Sequence, residues 1–527
     1  MYFLLIPVFI LTFLVYFVIL PLIVYFRDPK GLRKYPSINP LAGITNLGFM
    51  WESSKGFRSN KLLKLHQKHP IIRLGPNSLS FAGGAAIKDI YGHGTPCIKD
   101  DFYAALAGTH YHLADVIDKP EHARKRKVLS SAYALKNLEG WEFKVADKTQ
   151  RFIRQADAVC TAPLKAGEKV RPEDCTFDYR KFTNFFTLDA ITDIGLSSSL
   201  GFLDQGDDIC TGERMDGSLH QVHYREALHS TALAQSRLVW AVEWFKVNTW
   251  LSKLFSNKYR EMWRLNENWN DIVLHAAKQR LQRYQKGEKL DDFFEALMES
   301  KSGMPNNLEW GEIVAEVSIM MNAGSDTTAL AMVNVMYHLL KDPSVMRKLR
   351  EEIDAALDAD ETVAPYDKVK HLPYLRAVLD ESLRLTPPTT FGLPRRTPKE
   401  GCPIASDFIA GDTSVSISAW VAHRDEDIFP EAEKFIPERW LGEKGKALQS
   451  SFIAFSAGAR GCIGRNISYL EQAVLLASVV KRYNFALSSE DWEPERWEAM
   501  NLMMRKMPVK VWRREVGTDA EFLSEKA

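Results

Sequence analysis

Ten residues near the carboxyl end, Phe455-Ser456-Ala457-Gly458-Ala459-Arg460-Gly461-Cys462-Ile463-Gly464, set one cysteine among three glycines. Glycines let a backbone turn tightly and approach a flat ligand, and the helical run after Gly464 would aim its N-terminal amides at the sulfur, where they favour a thiolate. Cys462 therefore reads as a metal ligand. The other five cysteines, Cys97, Cys160, Cys175, Cys210 and Cys402, form no C-x-x-C pair and no zinc spacing. They read as small buried hydrophobes in a reducing compartment.

A second chemical signal is the polar insert Ala323-Gly324-Ser325-Asp326-Thr327-Thr328 within an otherwise apolar helical run. Core-facing polar groups cost free energy unless they are bonded. Gly324 weakens the helix where the Thr327 hydroxyl can reach the Ala323 carbonyl, so a local bulge or kink beside a cavity is expected. Glu381 and Arg384, spaced i,i+3 on a helix expected over residues 371–385, can pair on one face. Arg439, within Phe435-Ile436-Pro437-Glu438-Arg439-Trp440, can join them in a buried network that fixes the segment ahead of Cys462.

In this order along the chain, Ala-Gly-Ser-Asp-Thr-Thr, Glu-x-x-Arg, Pro-Glu-Arg-Trp and Phe-x-x-Gly-x-Arg-x-Cys-x-Gly resemble the cytochrome P450 family of haem-thiolate monooxygenases, over residues 37–512. The resemblance implies the mainly α cytochrome P450 fold with small β-sheets, preceded by a single N-terminal transmembrane helix. It implies haem (iron protoporphyrin IX) with Cys462 as axial iron ligand and Phe455 beside it. His122, Arg126, Arg395 and Arg460 would bind the haem propionates, Asp326 and Thr327 would steer protons during oxygen activation, and Glu381, Arg384 and Arg439 would form the structural network. Electrons would come from NADPH through a separate NADPH-cytochrome P450 reductase. Two departures are mild: Ala459 replaces the usual proline, and His122 stands where many members have tryptophan.

Lys99-Asp-Asp-Phe-Tyr103, Glu121-His-Ala-Arg-Lys-Arg-Lys127 and Gly392-Leu-Pro-Arg395 are similar to segments of the fungal benzoate para-hydroxylase-like group, which also contains natural-product tailoring enzymes. By resemblance the substrate pocket draws on Phe102, Tyr103, Asn322, Ala323, Thr390, Phe391 and Leu502, an apolar and aromatic set with a few polar groups. Such a pocket favours a lipophilic polyketide, terpenoid or indole-type secondary metabolite over benzoate, because no cation can be assigned to it. A benzoate-type aromatic carboxylate hydroxylase is the alternative, as is a haem-thiolate enzyme that rearranges or couples its substrate without inserting oxygen.

The elements that must position these groups are mostly helical. Period 3.6 or strong helix formers predict helices over 57–69, 121–135, 182–194, 223–240, 259–284, 311–340 and 344–357, with short strands over 71–74, 78–81, 414–418 and 509–512. Of the 527 residues 46% are hydrophobic and 26% charged, and no linker interrupts the middle, so residues 46–527 read as one catalytic domain. Lys+Arg 68 against Asp+Glu 67 leaves a net charge of +1, which excludes the basic footprint of a nucleic-acid binder.

Residues 1–26 contain no charged side chain. As a helix they would extend roughly 39 Å, enough to cross a hydrocarbon layer of about 30 Å, so a membrane anchor is expected. Arg27, Lys30, Arg33 and Lys34 follow, opposed only by Asp28, and place the catalytic domain in the cytosol, while the resemblance to the microsomal type implies the endoplasmic reticulum membrane. Pro29, Pro36 and Pro40 stiffen a connector over residues 27–45 that holds the domain near the bilayer.

Overall fold

The computed structural model describes residues 11–515 apart from Phe13, Ser131, Ala166 and Lys301. Its principal helices are α1 (Arg58–His66), α2 (Lys119–Ser130), α3 (Tyr179–Leu196), α4 (Tyr224–Leu238), α5 (Phe245–Phe255), α6 (Asn257–Gln285), α7 (Trp310–Lys341), α8 (Pro343–Ala356), α9 (Pro373–Leu385) and α10 (Arg465–Arg482). Helix α7, the bearer of the polar insert, passes through the core, and every residue from Thr328 to Leu339 is buried. Apart from the hydrogen-bonded Thr328, Asn334 and His338 it is apolar there, as suits a helix enclosed by others.

Small residues bring α7 close to α3. A Cβ on Gly324 would lie 2.5 Å from Ile191 Cγ1, and one on Gly195 would lie 2.4 Å from Met320 Sδ. Both glycines are therefore there for packing. Of the expected bulge or kink, no wider turn is present: α7 remains α-helical at every residue and Gly324 closes onto α3. Between α7 and α8 the chain breaks at Asp342, whose carboxylate caps the amides of Ser344 and Val345 while Pro343 takes the first helical position.

Five short strands form a mixed sheet in the order Ile71–Gly75, Ser78–Phe81, Ser414–Ile417, Arg395–Arg396 and Ile98–Lys99. Leu79 faces Val415 in its parallel pair, and Val415 faces Arg395 in the next, antiparallel one. This sheet delivers Arg395 and Lys99 to the same edge. A second sheet pairs Tyr483–Leu487 with Pro508–Arg513 and Phe177–Asp178.

The helix expected over 121–135 ends at Ser130. The hairpin Ile209–Glu213 with Leu219–His223 was not anticipated, although its Asp216-Gly217 turn, with φ +84° at the glycine, is a recognisable hairpin signal.

At the amino end Leu20–Arg27 is helical, preceded by one wider turn over Val15–Ile19, and ends at Asp28 in the left-handed region (φ 44°). Among the described residues no helix is long and apolar enough to cross a membrane, and residues 1–10 of the expected anchor lie outside them. The rings of Tyr16 and Phe17 meet Trp244 at 5.9 and 5.1 Å. The connector is fastened to the body: Lys30 donates to Asn77 Oδ1 and to the Asp412 carbonyl, both at 2.9 Å, and Lys34 pairs with Asp407 at 2.8 Å. Residues 516–527 of the expected catalytic domain also lie outside the described residues.

Candidate active site

The loop ahead of α10 folds back on itself. The Cys462 amide donates to the Phe455 carbonyl at 2.9 Å and the Gly461 amide to the Gly458 carbonyl at 3.0 Å. Gly458 has φ +65°, and a Cβ there would lie 2.1 Å from the Tyr91 carbonyl oxygen. Both the conformation and the close approach require glycine. Gly458→Ala is expected to cost about 1–3 kcal/mol through overpacking against backbone, spent in this loop. The haem-to-protein ratio of the purified variant should fall well below that of wild type, and an unchanged ratio would show that the loop tolerates the shift.

Cys462 has accessible surface, and it faces an internal cavity of about 380 Å³. The amides of Gly464 and Arg465 point at its sulfur, as the helix start requires, with Arg126 and Arg465 adding positive charge. Burial outweighs these and pushes the thiol up. The protein alone therefore does not supply a thiolate here; a coordinated cation would, since a metal-bound thiol gives up its proton.

Around the same cavity lie Lys99, His122, Arg126, Arg395 and Arg460. Among the described residues none of the three arginines, nor Lys99, has a carboxylate within ion-pair distance. They bond to neutral oxygens instead. Arg126 donates to the Gly461 carbonyl (2.7 Å), Arg460 to the carbonyls of Val116 (2.7 Å) and Ile117 (2.8 Å), Arg395 to the Tyr103 hydroxyl (3.0 Å), and Lys99 to the Ala114 carbonyl. Burial, with repulsion from Arg395 and others, lowers Arg460 to about 10. Burial, with Arg460, Lys99, Arg126 and Arg395, lowers His122 to about 4. Lys99 is pushed well below its ordinary value by burial and by Arg395 and Arg460. Unpaired cations held together against their repulsion call for anionic groups, and the two carboxylates of a haem meet that requirement.

Helix α7 turns one face to the cavity: Ile319, Met320, Ala323, Gly324, Thr327, Thr328 and Ala331 recur at helical spacing in its wall. The Thr327 hydroxyl donates to the Ala323 carbonyl at 2.8 Å, which leaves its lone pairs free to accept. Asn322 and Asp326, four residues apart on another face, are not in that wall. Asp326 points into the protein, where it accepts from Arg180 Nη2 (3.1 Å), Asn184 Nδ2 (3.1 Å) and His229 Nε2 (2.5 Å). Burial raises its pKa, but His229 and Arg180 prevail and hold the carboxyl well below the usual range.

Glu381, Arg384 and Arg439 meet in one buried network. Glu381 receives Arg384 Nε (2.9 Å) and Nη2 (2.9 Å), Arg439 Nε (3.0 Å), the Ile436 amide (2.9 Å) and Trp440 Nε1 (2.8 Å). Arg384 also donates Nη1 to the carbonyls of His423 (2.7 Å) and Ala432 (2.8 Å). His423 was not foreseen. Burial and Arg384 lower its pKa to about 3, so it is neutral; Nδ1 donates to the Arg384 carbonyl (3.1 Å) and Nε2 accepts from the Ile453 amide (2.9 Å). The network thus reaches the strand of chain entering the cysteine loop.

Tyr103, Ala323, Phe391 and Phe455 line the large cavity, and the Phe455 ring sits 5.2 Å from that of Tyr469. Phe102, Thr390 and Leu502 do not. Phe102 packs against Trp240 (5.0 Å), the Thr390 carbonyl accepts from Ser418 Oγ (2.6 Å), and the Leu502 amide donates to the Pro388 carbonyl (2.7 Å). Phe102 instead lines a smaller neighbouring cavity. Arg180, Asn184 and His229 escaped sequence reasoning because they stand 146, 142 and 97 residues from Asp326. Lys99 carried a weak signal, a lone lysine on a short strand edge.

A thiol at a helix start open to an apolar cavity, with a ring of unpaired cations, defines a site for a flat, dianionic metal macrocycle. The cytochrome P450 family model matches residues 44–512, and the chain belongs to the cytochrome P450 family, as an oxygen-incorporating oxidoreductase with thiolate-ligated haem. It is 29% identical over 486 residues to a benzoate 4-monooxygenase of Aspergillus niger, covering 89% of this chain and 91% of that protein. It is 30% identical over 468 residues to a cytochrome P450 monooxygenase of Aspergillus terreus, covering 84% and 88%. With another cytochrome P450 monooxygenase, from Hormonema carpetanum, it shares 28% identity over 494 residues, 91% of each chain.

Proposed function

We propose that the chain is a membrane-anchored monooxygenase that inserts one atom of O2 into a lipophilic or aromatic secondary metabolite, with electrons from NADPH-cytochrome P450 reductase. The observation that carries this reading is a single cavity lined by both Cys462 and the Ala323–Thr327 face of α7, with apolar side chains such as Leu113, Phe293, Leu297 and Phe391 between. Cysteine-ligated haem supplies oxygen activation, the thiolate favouring O–O cleavage. The chain's own residues do the rest. Arg126, Arg395, Arg460 and His122 would hold the propionates, while the apolar wall orients the substrate and limits water.

Thr327 is the proton-positioning group, its hydroxyl fixed by Ala323 with lone pairs open to the cavity. Asp326 serves behind it as an ionised acceptor, linked to His229, whose side chain is 25% exposed and so in touch with solvent. Membrane attachment on the cytosolic face of the endoplasmic reticulum is supported by the uncharged residues 1–26 and by exposed apolar groups of α5, among them Trp250 and Phe255; α5 follows the Trp244 that Tyr16 and Phe17 meet.

Reconstituted with reductase in membranes, Thr327→Ala should lower product formed per NADPH by roughly tenfold or more, the scale of a lost proton-transfer group, with haem uptake intact. Unchanged coupling would refute the role. Label from isotopic O2 should appear in the product; its absence would mean rearrangement or coupling instead.

A further inference from the structure

A second cavity, of about 140 Å³, adjoins the first and shares Phe391 with it. Gly392 lets the chain pass this neck: a Cβ there would lie 2.7 Å from Ser416 Oγ. The wall of the small cavity holds Arg58, the first residue of α1, which is only 3% exposed. Its guanidinium lies over the rings of Trp240 (4.7 Å), Phe391 (5.2 Å) and Phe49 (6.0 Å).

None of the three guanidinium nitrogens of Arg58 has a hydrogen-bond partner. Glu498, itself buried, forms an ion pair with Nη2 at 3.4 Å but takes no hydrogen bond from it, spending its oxygens on the Ser59 amide (2.9 Å) and hydroxyl (2.8 Å). Other acids of the wall are committed or remote from it: Asp100 pairs with Arg396 at 3.2 Å, and Glu243 is exposed. Buried donors without acceptors are costly and rarely kept without a use. A planar fork of free N–H groups between aromatic faces matches a carboxylate attached to an apolar or aromatic body.

We infer that Arg58 is the carboxylate anchor of a substrate antechamber. The acid group of an elongated apolar substrate docks on Arg58 after the Trp240 ring swings aside, and its body passes Phe391 toward the haem cavity. This rests on the monooxygenase reading above and narrows its substrate class to carboxylate-bearing molecules longer than a single ring.

The test uses full-length, haem-loaded protein and two probes, biphenyl-4-carboxylate and its methyl ester, with binding followed by calorimetry and KM and kcat measured separately. The acid should bind wild type at least about tenfold tighter than the ester. Arg58→Met should weaken acid binding by about 10- to 100-fold, the worth of a charge-assisted hydrogen bond, and leave the ester within about twofold. The loss should fall in KM, and Arg58→Lys should recover part of it. Because Arg58→Met strands Glu498, the double variant Arg58→Met/Glu498→Gln is measured beside it and should show the same selective loss. Equal binding of acid and ester to wild type, or equal weakening of both in the variants, overturns the inference while a normal thiolate spectrum keeps the parent reading. A wild-type protein without that spectrum fails the parent reading instead.

Discussion

Replacing Cys462 by serine is expected to remove the thiolate-type Soret band from the reduced, carbon-monoxide-bound difference spectrum and to bring turnover to background. The cavity residues would be unchanged, and the amides of Gly464 and Arg465 would still point at the side chain. A hydroxyl in that place is far harder to ionise than a thiol and is not a soft donor, so it cannot take over the ligand's part. Cys462→Ala should behave alike. The comparison that gives the result its meaning is serine at Cys97, Cys160, Cys175 and Cys210. Cys97 and Cys210 are buried, Cys160 and Cys175 half-buried, and none lies in the wall of the large cavity. Those four variants should keep the band. A band that survives in Cys462→Ser would mean another ligand, and the roles derived from the loop would fall with it.

How far the site was legible in the sequence depended on whether a signal was local. Three glycines around Cys462 report a loop that must turn and come close to other backbone, and Gly458 against Tyr91 is that requirement in the fold. The i,i+3 pair Glu381 and Arg384 is equally local. Helical periodicity placed α3, α4, α6 and α7 within a few residues. What period alone did not supply was the partner of each face. Asp326 and Thr327 are neighbours in sequence, yet a turn of about 100° separates them, so one faces α3 and α4 while the other faces the cavity. Asn322, expected in the pocket by resemblance, lies outside its wall, one turn from Asp326. Arg58, which we infer to meet an acidic substrate, comes from α1, more than 300 residues before Phe391, and only folding sets the two rings and the guanidinium together. Lys99 shows the same limit, being a cavity residue by virtue of a strand edge two residues long.

Glu381→Ala is expected to destabilise the fold more than any other single change in the network, by about 3–5 kcal/mol, a large part of the roughly 5–15 kcal/mol that holds a domain together. Glu381 and Arg384 both have side chains 0% exposed. Without the carboxylate, Arg384 and Arg439 face one another as buried like charges, and the Ile436 amide and Trp440 Nε1 lose their acceptor. Arg384→Ala should cost nearly as much, because the carbonyls of His423, Ala432 and Lys434 are left without a donor. Arg439→Ala should cost less: that side chain is 8% exposed and Arg384 still pairs with Glu381. Through His423 and the Ile453 amide the damage reaches the cysteine loop, so haem should be lost from each variant in the same rank order as stability. Thermal unfolding and haem retained per chain measure both. None of the three residues lines the cavity, so none acts on the substrate. A Glu381→Ala protein that unfolds within about 1 kcal/mol of wild type would show the network to be dispensable, and one that keeps stability and haem but loses turnover would make it part of the chemistry.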